Sequence, residues 1–110
     1  MKRNSTKASL EKTVAKLEPL SVNPNHSFEI GRQYLIQTVT NYFTGIVIRI
    51  TESDLVLENA AWIPIVGRFA TAIKTGVFEE VEPFTESVII NRGAIINSTN
   101  WPHALPREQK

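Results

Sequence analysis

Few residues in this 110-residue chain are equipped for chemistry. There is no cysteine, so no disulfide framework, cysteine zinc site or thiol nucleophile is available. The two histidines, His26 and His103, each lie in a proline-containing flank. Neither sits near a Ser, Asp or Glu arrangement that would make it a general base. No glycine-rich phosphate loop is present, and the acids do not fall at metal-ligand spacing. The sequence therefore predicts a protein that is not an enzyme and takes no metal or cofactor. What remains is a polar spacer, Thr51-Glu52-Ser53-Asp54, and a tight turn, Asn91-Arg92-Gly93, with a cation between an amide and a glycine.

Both turns lie between β-branched, apolar runs. Thr44–Ala60 contains two such runs separated by Thr51–Asp54, a hairpin length. Ser87–Ile96 repeats the plan with a tighter turn. Gly45 opens the first run, where a strand glycine marks a bend or a close backbone approach. The predicted strands are Tyr34–Thr40, Phe43–Thr51, Leu55–Ile63, Ser87–Asn91 and Ala94–Ser98, with Gly31 as a pivot before the first. Ile46, Ile48 and Ile50 fall on one face of the second strand and Val47 on the other. Two apolar faces imply burial on both sides, by a closed barrel or a neighbouring subunit. Leu55 and Leu57 should point inward and Glu58 outward.

Pro64 is expected to end the third strand. Val66, Phe69, Ala70 and Ile73 then follow helical spacing, which predicts a short helix at Gly67–Thr75, stopped by Gly76. Glu79, Glu80 and Glu82, closed by Pro83, read as a solvated acidic connector. The expected class is mainly β, a strongly bent five-stranded antiparallel open barrel with a short helix in the connector between strands three and four.

The chain divides into a basic N-terminal tail, residues 1–27, one domain at 28–100 and a C-terminal tail, 101–110. Leu10, Val14 and Leu17 give the N-terminal tail a candidate helix at 8–18, too short to be stable alone. Formal net charge is +1, but residues 1–27 carry five basic and two acidic residues and 28–110 carry seven and nine. Such a tail can touch nucleic acid or serve as a solvated arm. No secretory signal or apolar run of membrane-span length is seen, so no membrane role and a cytoplasmic location are expected.

The order of these features resembles the Sm-like (LSm) family. That family's first motif is matched by Gly45, Val47, Ile50, Leu55, Leu57, Glu58 and Ala60. Its second is matched by Ile90, Arg92, Gly93 and Ile96, with Asn91 where an apolar residue is usual. The resemblance covers Phe28 to Thr99, and the long connector with Trp62 is similar to bacterial or phage members. It implies a bent open barrel, usually capped by an N-terminal helix, whose copies close into a ring by pairing the fourth strand of one with the fifth of the next; five, six or seven copies would all satisfy the strand edges. The family binds single-stranded RNA at the pore through the two turns, by base stacking, an asparagine and an arginine. Carried onto this chain, the RNA-binding positions are Arg92, Gly93, Asn91, Ser53 and Asp54. The first turn departs from the pattern. It is shorter, lacks a stacking side chain, and has Asp54 where asparagine is expected. Glu52 and Asp54, repeated around a ring, would repel phosphates.

Three functions follow as expectations. The first is a non-catalytic homo-oligomeric ring that binds single-stranded RNA. The second is the same ring as a structural or protein-interaction module with no nucleic-acid role. The third is a monomeric SH3-like adaptor. Arg92 is a pore ligand-binding residue on the first and a turn residue paired with an acid such as Glu52 or Asp54 on the others. Gly93 is expected to supply a positive φ. Trp62 and Phe69 read as core or interface anchors, and Trp101 as a docked tail residue.

Overall fold

A computed structural model describes residues 27–110. His26 and the candidate helix at 8–18 lie outside them. The described chain is mainly β, with one short helix. Its elements are β1 (Gln33–Thr38), β2 (Tyr42–Ile50), β3 (Asp54–Ile65), α1 (Phe69–Thr75), β4 (Glu80–Pro83), β5 (Val88–Asn91) and β6 (Ile95–Asn100). A single 3-10 turn, Arg92–Ala94, joins the last two strands. All pairings are antiparallel, in the order β4-β3-β2-β1-β6, and β5 joins β3 beside β4. The sheet is not closed, and it has six strands where the sequence predicted five.

The sixth strand, β4, falls in the acidic stretch expected to be a solvated loop. Its residues Glu80, Glu82 and Pro83 pair with Ile65, Trp62 and Ala61 of β3. Only Val81 of β4 is buried. One apolar residue between two acids carries no strand signal by itself; the edge of β3 supplies it. For the same reason β3 runs to Ile65, past the stop expected at Pro64. The register shifts between Trp62 and Ile65, which accommodates a residue lacking an N–H.

Alternation along β1 sends its side chains into two separate cores. Tyr34 and Ile36 enter a strand cluster with Val47, Leu55, Leu57, Ala60 and Ile90. Leu35 enters a cover cluster with Ala61, Ile63, Ala72, Phe78, Val81 and Trp101. Each fully buried aliphatic side chain contributes about 1.5–3 kcal/mol. Leu55 and Leu57 are buried and Glu58 is exposed, as the alternation requires.

The face pattern expected along β2 is altered by a bulge. The register shifts between Val47 and Arg49. Val47 and Ile50 therefore share the strand cluster, and Ile48 is 40% exposed. The second apolar side of the sheet is covered by the chain's own helix and C-terminal segment, with Ala72, Phe78 and Trp101 packed there.

Gly45 sits at another register shift, between Thr44 and Ile46. A Cβ there would meet Leu57 Cβ at 3.0 Å and Ala60 Cβ at 3.2 Å. The missing side chain lets β3 cross close over β2. Opposite it, Asn59 adopts φ 52, a left-handed conformation that asparagine tolerates. These two positions divide β3. Its outer side pairs with β5 from Asp54 to Leu57 and with β4 from Ala61 to Ile65.

The helix forms where helical spacing predicted it, though it starts two residues later, at Phe69. Gly76 closes it in the left-handed conformation, φ 78, and its N–H donates to Ala72 O at 2.7 Å. Its buried face differs from expectation. Ala72 is buried and Ile73 and Val66 pack beside it, whereas Ala70 is exposed and Phe69 is 50% exposed. Among the described residues no helix is long and apolar enough to cross a membrane.

Candidate functional site

The hairpin geometry of the two polar turns places them against each other. In the first, Thr51 N–H donates to Asp54 O at 2.9 Å and Asp54 N–H to Thr51 Oγ1 at 2.8 Å, a side-chain-reinforced turn. Asp54 then faces Asn91 as β3 pairs with β5. Arg92 N–H reaches back to Ser53 O at 2.8 Å. The five residues singled out in the sequence, Ser53, Asp54, Asn91, Arg92 and Gly93, therefore form one rim, brought together from about forty residues apart by pairing between β3 and β5.

Within that rim Arg92 ties the turns together. Its guanidinium donates to the carbonyl oxygens of Thr51 and of Glu52, the latter at 3.0 Å. A charged donor on carbonyls is stronger than a neutral one, so Arg92 holds the first turn in shape. Asn91 Oδ1 accepts from Gly93 N–H at 2.7 Å and caps the 3-10 turn. Gly93 does not have the expected positive φ. A 3-10 turn keeps right-handed angles throughout. An added Cβ there would lie 3.0 Å from Asn91 Oδ1, so the capping side chain would have to shift slightly.

Ser53, Glu52, Asn91 and Gly93 are exposed, and Asp54 and Arg92 are half-buried. Neither turn contains an aromatic residue. Two aromatics missed by sequence reasoning lie close by. Phe28 and Tyr34 meet edge-on at 5.1 Å and line a groove of about 430 Å³ with Arg92, Ile95, Ile96 and Ser98. The Tyr34 hydroxyl accepts from Glu29 N–H at 2.9 Å. Phe28 and Tyr34, six residues apart around the pivot Gly31, gave no periodic signal. Trp62 and Phe69 lie elsewhere, with Trp62 Nε1 donating to Asn41 Oδ1 at 3.1 Å and Phe69 packed on Tyr42 at 6.2 Å.

The sheet edges flanking the rim form its second feature. Among the described residues β5 pairs only with β3, and β6 only with β1. Neither strand contains a proline or a charge. Ile89 on β5 is 67% exposed and Ile96 on β6 is 58% exposed. Comparison with protein-family models found no match, and none was found among curated proteins either.

Proposed function

We propose that this chain is a non-catalytic building block that closes with copies of itself into an Sm-like ring, acting as a structural or protein-interaction module. The observation that carries this reading is the pair of uncharged outer edges on β5 and β6, with Ile89 and Ile96 exposed. Unpaired strand edges of this composition promote association unless a partner occupies them. Pairing β5 of one copy with β6 of the next is a head-to-tail contact, and rotation that closes it leaves no edge vacant. The Sm-like assignment is supported by the bent β1-β2-β3 unit, the close crossing at Gly45 and the return through a 3-10 turn between two edge strands.

Light scattering and native mass measurement test the ring. A single assembly of five to seven copies is expected, and Ile89→Lys with Ile96→Lys should reduce it to monomer. A monomer for the unsubstituted chain at micromolar concentration would end this reading in favour of the adaptor.

Single-stranded RNA is the second reading, favoured by one observation: Arg92 lines the same groove as Phe28 and Tyr34. A cation beside aromatic faces suits single strands. The protein-interaction reading is preferred because the Arg92 guanidinium is engaged by two backbone carbonyls of the turn that also contains Glu52 and Asp54. Fluorescence anisotropy with labelled poly-U and poly-A decides between them. Salt-sensitive binding that disappears in Arg92→Ala would establish the RNA reading; flat titrations at low salt would dismiss it.

A further inference from the structure

The sheet has a third outer edge, that of β4, and the chain itself covers it. Val81 N–H donates to Lys110 O at 3.0 Å, and Lys110 N–H donates to Val81 O at 3.0 Å. The two residues exchange both bonds, as in a hydrogen-bonded antiparallel pair. The segment leading there is fastened at several points. Trp101 is 3% exposed and stacks on Phe78 at 5.1 Å. Gln33 Nε2 donates to Trp101 O at 3.1 Å and to His103 O at 2.9 Å. His103 Nε2 lies 2.7 Å from Ile73 O, and its ring fills the space over Gly76, where a Cβ would come within 2.6 Å of His103 Cγ. Arg107 donates to Ala60 O at 2.7 Å and to Phe84 O at 2.9 Å, across the gap where β3 changes partner from β5 to β4.

We propose that residues 101–110 guard the β4 edge and so confine self-pairing to β5 and β6. A head-to-tail ring needs two complementary edges per copy. A third open edge would allow branching and open-ended growth. Glu80, Glu82 and Pro83 discourage pairing along β4, and Lys110 occupies the backbone donor and acceptor of its one apolar residue. The part of the proposal concerning copies rests on the ring reading above; the covering of β4 does not.

The test uses the full chain carrying Arg107→Ala and Lys110→Pro. These changes remove the two arginine bonds and the Lys110 N–H, and leave Trp101 and His103 in place. Amide hydrogen exchange at Val81 should speed by about tenfold or more, the loss of a bonded edge. Light scattering should show masses above that of the unsubstituted protein that grow with concentration. Exchange at Val81 unchanged from the unsubstituted protein would overturn the proposal. So would fast exchange with no new masses. Lys110→Pro alone should move both readouts in the same direction by less, and it stands as the test where the double variant fails to fold. Should the unsubstituted chain prove monomeric, the ring reading falls. The guard then survives if the double variant self-associates and falls if it stays monomeric.

Discussion

β4 and β5 lie end to end along the same side of β3, yet their outer edges are treated in opposite ways. β4 has Glu80, Glu82 and Pro83 and is capped by Lys110. β5 is Val-Ile-Ile-Asn, uncharged, with Ile89 67% exposed and no strand beyond it among the described residues. β6, at the other end of the sheet, resembles β5 in composition. Charge, proline and a covering segment are the common ways of blunting an edge. Among the described residues one edge has all three of them and two edges have none. Edge protection in this fold is placed strand by strand, as the proposed ring would require.

The C-terminal cover of β4 is most sensitive at Trp101. Trp101→Ala removes the main anchor of the guarding segment from a well-packed cluster, and a loss of about 3–5 kcal/mol is expected in chemical denaturation. A loss under about 1 kcal/mol would mean that the segment is held elsewhere. Next comes Gly45→Ala, which tests why β3 has two outer partners. The new Cβ presses on Leu57 and Ala60, so a loss of about 1–3 kcal/mol is expected, with β4 and β5 amides exchanging faster together. An unchanged denaturation midpoint would remove the close crossing as the cause of the bend. The smallest effect has the opposite sign. Thr44 is fully buried, with its hydroxyl unpaired among the described residues, between Leu35 and Ala61 of the cover cluster and away from either contested edge. Thr44→Val should raise stability by about 1 kcal/mol and leave the assembly mass unaltered. A changed mass would show that core stability, not edge chemistry, sets association.

The predicted strands were legible because β-branched alternation and turn residues act locally. β2 and β3 are legible to within a few residues, and Gly45 is legible as either a bend or a close approach, of which the structure shows the close approach. The helix was legible from Val66, Ile73 and the stop at Gly76. The face it buries was not, because Ala72 and Ile73 pack where the C-terminal segment and Phe78 leave room. β4 was invisible because Glu-Val-Glu-Pro has no strand preference of its own. The candidate rim was half legible: its residues could be named, but the engagement of Arg92 with the carbonyls of Thr51 and Glu52 depends on a backbone path no side-chain pattern encodes. The groove of Phe28 and Tyr34 was missed for the same reason.

The sequence by itself determined which segments extend, where they turn, and that the chain lacks cysteine chemistry, since these depend on local sterics and composition. Tertiary structure decided which edges are covered. That outcome turns on Lys110 meeting Val81 and on Trp101 finding Phe78, contacts between residues far apart in the chain. Hydrogen bonding at an edge is satisfied by any backbone that arrives there, and only the folded path selects which one does.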